Sequence, residues 1–320
     1  MSPRWPLLAI GGPTAAGKTD LAVELARRVG AELVNADSRQ VIRRLHAGTA
    51  APSDAQLRRV RCHLLGICEP GDPFTVADWV DAARLALADL RRRGVAAILV
   101  GGTGQYLRAL REGWVFRGAA PDPAAREALT ALAGSAAGLA RLAAELQDRD
   151  PEGAASVDLA NPRRVIRALE VLRAGAGSLA DARRRAGGIP FELVVLDAQR
   201  APHRDALVAR VDAMFYGGAL LAETADELRR GTPREALGRA GIGYSEAIAV
   251  IDGTLDLEGA RSLTLQRTLR YAKAQRTWFR SEPALLHLDR AEATTTSALA
   301  DAVLAAVRQS PGGRCRGSPR

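Results

Sequence analysis

Cysteine is scarce in this chain: Cys62, Cys68 and Cys315 are the three among 320 residues. So odd and sparse a set excludes the disulfide framework that staples small secreted domains. Five residues separate Cys62 from Cys68, which is not a usual zinc-ligand spacing, and His63 between them does not supply one. Both thiols read as reduced, buried side chains. No uncharged apolar run reaches the roughly 18 residues of a transmembrane helix. The apolar run in the opening MSPRWPLLAIGG is short and passes straight into a glycine-rich loop, unlike a secretory signal peptide. The expectation is a cytoplasmic protein that does not enter the membrane. Internal repeats are absent as well.

What is present suits a globular enzyme. Apolar residues make up 47%, enough for a sizeable core, and the length allows one large domain with an appendage or two domains. The net charge is +9 and the basic residues are nearly all arginine, a balance that suits a polyanionic partner. An Arg- and Ala-rich coding bias gives the same balance, so charge gains meaning only beside motifs.

Strands alternate with helices in the first third. LLAIG (7–11), AELVNA (31–36) and VAAILV (95–100) read as strands. Leu21, Leu25, Ala26 and Val29 carry helical spacing over 18–29, closed by Gly30. Thr75 with Asp78 forms a capping box for a helix running to Gly94, and GGTG turns into another helix. This order predicts an α/β fold: a parallel sheet of the P-loop type with right-handed crossovers. From 117 to 190 the chain is Ala-, Leu- and Arg-rich with helical periodicity and no clear strand, so it reads as a helical insertion domain. ELVVLD (192–197) returns as a strand, followed by helices at about 203–230, 233–237 and 256–280. The expected organisation is a core of 1–116 and 191–309, an insertion of 117–190 and a disordered tail of 310–320.

Gly12-Pro13-Thr14-Ala15-Ala16-Gly17-Lys18-Thr19 is a GxxxxGK[ST] phosphate loop between a strand and a helix, the context the motif needs. Backbone amides and the helix N-terminus favour an anion, Lys18 adds a point charge, and the Thr19 hydroxyl is placed to bind Mg²⁺. Any diphosphate or triphosphate fits such a cradle. Asp37 follows the second strand, at the end of the sheet where open α/β folds bind ligands. It either accepts a proton or orients metal-bound water, or it or Ser38 forms an Asx turn or caps a helix.

GPTAAGKT, ADSRQV followed by GTAAP, His63-Leu64, FTVADW, ILVGGTGQYLRAL and YAKAQRTWF form an ordered series. Together they resemble the tRNA dimethylallyltransferase (isopentenyl-tRNA transferase) family, from residue 8 to about 280. The resemblance implies transfer of a prenyl group from dimethylallyl diphosphate, with Mg²⁺, to N6 of the adenosine just 3′ of the anticodon. It implies diphosphate binding by residues 12–19, a general-base role for Asp37, a nearby orienting role for Thr103, and target-nucleotide contacts from Asp37, Ser38, Arg39 and Gln40. It makes Arg210 the candidate diphosphate-binding arginine, and Arg163, Arg164 and Arg167 of NPRRVIRALE the candidate tRNA contacts. A monomer that binds the anticodon stem-loop is expected. The chain departs from the family pattern at Ala16, where Ser is usual, at Ile42 in place of Tyr, and at Ala274 in place of Arg. PHRDALVARVDAM is also about one helical turn shorter than typical.

Residues 161–185 carry Arg163, Arg164, Arg167, Arg173, Arg183, Arg184 and Arg185 against Glu170 and Asp181. Arg163 and Arg167 share one helical face, as a solvated helix or as a surface for RNA phosphates. In RYAKAQRTWFR, Tyr271, Trp278 and Phe279 alternate with Arg270, Lys273, Arg276 and Arg280, so Lys273 and Arg276 are further candidate tRNA contacts. Trp278, Phe279, Tyr106 and Tyr244 also suit core packing. The rival functions are a free-adenylate prenyltransferase, which needs no helical insertion, a P-loop kinase, which leaves GGTGQY and YAKAQRTWF unexplained, and a non-catalytic RNA-binding module, which has no use for Lys18, Thr19, Asp37 and Thr103 together.

Overall fold

The computed structural model describes residues 6–114, 122–173, 178–179, 187–292 and 295–310. Strand β1 (Leu8–Gly11) is buried throughout and leads through the phosphate loop into α1 (Lys18–Val29). Leu21, Val23 and Leu25 of α1 are buried, and Gly30 ends the helix in the left-handed region, its amide donating to the Ala26 carbonyl. Then follow β2 (Ala31–Asn35), the short α2 (Asp54–Leu57), β3 (Cys62–His63) and α3 (Val76–Arg92). Thr75 and Asp78 form the expected capping box at the start of α3. One turn on, the buried Trp79 donates its indole N–H to the Asn35 carbonyl at 2.9 Å. That bond ties α3 to the end of β2, beside Asp37. β4 (Ala96–Val100) and α4 (Gly104–Glu112) complete this part.

Every strand pair is parallel, in the order β3-β2-β4-β1, then β5 (Glu192–Asp197) and β6 (Leu286–Asp289). Strands covered on both faces need apolar residues on both, which is why LAIG, AAILV and ELVVLD read as continuous apolar runs. The chain leaves β1 towards one side of the sheet and later crosses to β5 on the other. The C-terminal end of β1 is therefore the switch point where open α/β sheets hold ligands.

Between β5 and β6 lie α9 (Arg200–Phe215), α10 (Ala219–Arg229), α11 (Arg234–Ala240), α12 (Tyr244–Ile251) and α13 (Leu257–Arg280). They enclose a second core around Val211, Phe215, Leu220, Leu237 and Tyr244. The helix expected over 203–230 is two helices, because Gly217 and Gly218, the latter at φ 72°, turn the chain between them. β6 and the last helix, α14 (Thr296–Gln309), were not expected; α14 packs Leu299, Val303 and Val307 into the same core as α1.

The chain forms two compact units, residues 1–108 with 190–320 and residues 109–189, so the first boundary falls inside α4 rather than at 117. The second unit holds α5 (Pro123–Ala133), α6 (Ala136–Arg149), α7 (Pro151–Ala154) and α8 (Pro162–Arg173) around Leu129, Leu142, Leu146, Val165 and Leu169. All of the expected tail beyond Ser310, and Arg183, Arg184 and Arg185, lie outside the described residues.

Candidate active site

The phosphate loop takes its shape from positions where a side chain does not fit. Gly12 has φ 139°, and a Cβ there would lie 2.0 Å from the Leu196 carbonyl oxygen. Ala15 also sits in the left-handed region, at φ 61°. Thr14, Ala15, Gly17, Lys18 and Thr19 line a cavity of about 210 Å³ at the switch point. Gly12, Pro13 and Ala16 are buried and do not line it. Ala16 is 2% exposed and does not line the cavity, so the departure from Ser there leaves the backbone cradle intact.

Lys18 donates from Nζ to the Pro13 carbonyl at 2.7 Å. Burial pushes its ammonium down to about 8; the Asp37 carboxylate opposes this shift and the Arg210 guanidinium adds to it. A half-buried cation on the cavity wall suits an incoming polyanion.

Thr14 is held at three atoms by residues far away in the chain. Its amide donates to Gln275 Oε1 at 2.8 Å, and Gln275 in turn donates to the Gly102 carbonyl at 2.9 Å. Its carbonyl meets His203 Nε2 at 2.7 Å, and its hydroxyl accepts from Arg210 Nη1 at 2.7 Å. Arg210 also donates to the Gly48 carbonyl at 3.2 Å, and burial lowers its guanidinium pKa. Arg210 thus reaches the cavity despite the shortened segment around it.

Asp37 faces the loop across the same cavity. The buried Asn35 sets its backbone: Oδ1 accepts the Asp37 amide at 3.1 Å, and Nδ2 donates to the Asp37 and Leu64 carbonyls. Asp37 Oδ1 accepts the Arg39 amide at 2.9 Å, so the turn reading of this residue is correct. Oδ2 makes no hydrogen bond among the described residues, so the turn role and a chemical role are compatible. Gly101 lets β4 and the next loop pass close to this turn, because a Cβ there would lie 2.1 Å from the Ala36 carbonyl oxygen. The Thr103 amide donates to that same carbonyl, and its hydroxyl accepts the Ser38 amide at 2.9 Å and donates to Ser38 Oγ at 3.2 Å. Gln40 donates to the Thr49 and Ala50 carbonyls, shaping the cavity wall. Arg39 is exposed and donates to the Arg239 carbonyl at 2.7 Å.

The candidate RNA-contacting residues divide. Arg163, Arg164 and Arg167 lie exposed on α8, opposite its buried Val165, Ile166 and Leu169. Arg164 faces Asp158 at 3.6 Å and Arg167 faces Glu170 at 3.2 Å. Lys273 is exposed on α13. Arg276 is not: Nε donates to both Asp197 oxygens at 2.8 and 2.9 Å, and Nη2 donates to the Ala198 carbonyl at 3.0 Å and meets His203 Nδ1 at 2.8 Å. Through Nε and Nη2, Arg276 is bonded to the end of β5 and to His203, which in turn meets the Thr14 carbonyl of the phosphate loop.

His63 pairs with Glu32 at 2.6 Å, while Arg93, the larger influence, and His63 hold the Glu32 carboxyl at about 2. Burial pushes the Cys62 thiol up to about 12. Among the described residues no group of three His, Cys, Asp or Glu could hold a metal ion. Tyr106 stacks on Trp79 with centroids 4.6 Å apart, and the buried Tyr244 donates to Glu223 at 2.6 Å. Glu223 also accepts the His46 and Ala47 amides, fixing the turn that presents the Gly48 carbonyl to Arg210. GTAAP and PHRDALVARVDAM mark the turn at 48–50 and His203 in the sequence, but the roles of that turn, His203 and Glu223 were not legible, because their partners lie up to 189 residues away.

The IPP transferase family model matches residues 40–282, and the Isopentenyl transferase model matches residues 6–66. A tRNA dimethylallyltransferase of Shouchella clausii is 39% identical over 292 residues, covering 90% of this chain and 93% of that protein. One of Myxococcus xanthus is 40% identical over 292 residues, covering 88% and 92%. Among solved structures, a full-length tRNA isopentenylpyrophosphate transferase from Bacillus halodurans superposes with a TM-score of 0.68 at 32% identity, covering 95% of this chain and 97% of that one. A eukaryotic dimethylallyltransferase acting on tRNA shares the fold, with a TM-score of 0.73 at 24% identity. With the phosphate loop, Asp37 and Arg210 gathered on one cavity and these relatives covered over nearly their whole length, the chain belongs to the IPP transferase family, that of the tRNA dimethylallyltransferases.

Proposed function

We propose that this protein transfers the dimethylallyl group of dimethylallyl diphosphate to N6 of the adenosine 3′-adjacent to the anticodon of tRNA. The convergence of Lys18, Arg210 and Asp37 on one cavity beside the phosphate loop carries this reading. The bond from the allylic C1 to the diphosphate oxygen breaks, and the bond from C1 to N6 forms. Negative charge grows on the departing diphosphate, where Lys18, Arg210 and the loop amides border the cavity. The Thr14 amide is already engaged by Gln275, so the amides from Ala15 onward are the ones left for the anion. The lone pair of N6 is delocalised into the purine, so loss of its proton to Asp37 Oδ2 assists attack. Thr103, anchored on Ser38, stands beside Asp37 to orient the amine. A base deep in this recess must leave the anticodon stack.

The donor set fits Mg²⁺. The Thr19 hydroxyl is a hard oxygen on this cavity, and Mg²⁺ is commonly held by one or two protein oxygens plus substrate phosphates. When bound, Mg²⁺ would neutralise charge on the diphosphate.

Residues 109–189, with Arg163, Arg164 and Arg167 exposed on α8, form the tRNA-contacting unit in this proposal, and Lys273 adds to it. The protein acts as a monomer in the cytoplasm, where its tRNA substrate resides; no described helix is long and apolar enough to cross a membrane. The test is transfer of labelled dimethylallyl diphosphate, with Mg²⁺, to an anticodon stem-loop bearing the target adenosine and, in parallel, to free AMP. Label on the stem-loop alone is expected. Label on AMP would move the protein to the free-nucleotide class.

A further inference from the structure

We infer that His203 is a positioning residue for the phosphate loop: it turns the Thr14–Ala15 peptide so that the Ala15 amide faces the diphosphate. This inference rests on the diphosphate-binding reading of the loop.

The imidazole has one partner on each nitrogen. Arg276 Nη2 lies 2.8 Å from Nδ1, and a guanidinium has only donors, so Nδ1 must present its lone pair. The proton of the neutral ring is then on Nε2, which donates to the Thr14 carbonyl at 2.7 Å. Arg276 cannot swing away freely, because both Asp197 oxygens and the Ala198 carbonyl hold the rest of it. A line of hydrogen bonds therefore runs from the end of β5 through Arg276 and His203 to the loop that follows β1.

A peptide group is planar and trans, so its C=O and N–H point in opposite directions. Drawing the Thr14 oxygen towards His203 aims the Ala15 N–H the other way, and Thr14 and Ala15 both line the cavity. The arrangement needs enforcement. Ala15 is in the left-handed region at φ 61°, which an alanine disfavours, and it has no side-chain hydrogen bond of its own to hold it there. With the Thr14 amide bound to Gln275 and Pro13 lacking one, Ala15 supplies the first amide free for the anion. His203 touches neither substrate nor reacting atoms, and its effect should appear in diphosphate affinity more than in the chemical step.

The experiment compares His203→Leu, His203→Asn and His203→Gln in the full chain. It measures binding of inorganic pyrophosphate by calorimetry, KM and kcat with dimethylallyl diphosphate, and the thermal midpoint. Gln places an amide N–H near the position of Nε2, whereas Asn is too short to reach the Thr14 oxygen. We expect Leu and Asn to weaken pyrophosphate binding and raise KM about tenfold with kcat changed less than about twofold, and Gln to keep both affinities within about twofold of the parent. Should Leu fail to fold, the contrast between Asn and Gln decides. Parent-like affinity in Asn, or equal losses in Asn and Gln, overturns the positioning role. Lys18→Ala is the control for the underlying reading. If the parent binds no pyrophosphate or Lys18→Ala binds it unchanged, the loop is not a diphosphate site and the inference falls with it. If Lys18→Ala loses affinity and the His203 variants do not, only the inference falls.

Discussion

Two sets of arginines, alike in sequence, differ in what the fold does with them. Arg276 of α13 keeps 15% of its side chain exposed and spends its donors on Asp197, Ala198 and His203, while Arg210 of α9 reaches the cavity and the Thr14 hydroxyl. Arg164 and Arg167 of α8 keep 65% and 51% exposed; Arg164 faces the exposed Asp158 at 3.6 Å, and Arg167 reaches at 3.2 Å to Glu170, a buried acid already held by Arg126. A surface pair such as Arg164 with Asp158 contributes little to stability and is readily exchanged for a phosphate. Arg276, with four fixed acceptors, is not readily exchanged, whereas Arg210 still borders the cavity. The lesson is that a basic-aromatic stretch such as RYAKAQRTWFR can be a structural element supporting a site as well as a surface for RNA.

The largest effect should come from the centre of the interior set. Asp37→Ala is expected to slow transfer by roughly 10²–10⁴ while stem-loop affinity changes less than about twofold, as measured by single-turnover kinetics and filter binding. Normal turnover would remove Asp37 as the base. Lys18→Ala should weaken pyrophosphate binding by roughly 10–100-fold in calorimetry, the loss of a charge-assisted contact.

The pH dependence of the parent protein sharpens the same point. Lys18 in the free protein loses its proton near 8 instead of 10.5, so diphosphate affinity should fall as pH rises above about 8. Over the window from 8 to 10.5 the unfolded chain holds more protons than the folded one, so the ligand-free fold should gain stability from this group as its affinity declines. Affinity that stays flat to pH 10 would contradict the lowered Lys18 pKa.

Smaller effects test the two arginine sets directly. Arg276→Ala should cost about 1–3 kcal/mol of stability in chemical denaturation, because it strands Asp197 and His203, and it should leave the salt slope of stem-loop binding unaltered. Arg164→Ala should do the reverse, reducing the salt slope by about 1 with stability within about 0.5 kcal/mol of the parent. If Arg276 lowers the slope as Arg164 does, the distinction between the sets fails.

Much of the core was legible because its signals are local. The helix over 18–29, the Thr75 capping box and the ELVVLD strand each follow from neighbours within one or two turns. The break between α9 and α10 lay in plain view as Gly217-Gly218, but uninterrupted apolar spacing on both sides obscured it. β3 is two residues long, and β6 is four residues of mixed polarity at the sheet edge, so periodicity had little to register. α14 is Ala-rich and weakly patterned, and its identity as a core helix depends on α1 lying across from it.

The same division runs through the site. The order of residues along the chain determined the phosphate loop, the acid after β2 and the glycines before Thr103, because backbone shape and close approach need those residue types at those spacings. Only the tertiary structure decided that Asp37 turns the chain with one oxygen and leaves the other open, that Arg210 rather than Arg276 lines the cavity, and that Gln275 and His203 hold Thr14 from behind. The contacts of His203, Arg210 and Gln275 with Thr14 span 189 to 261 residues, and a hydrogen bond over that separation has no periodicity to reveal it until the sheet closes and brings its ends together.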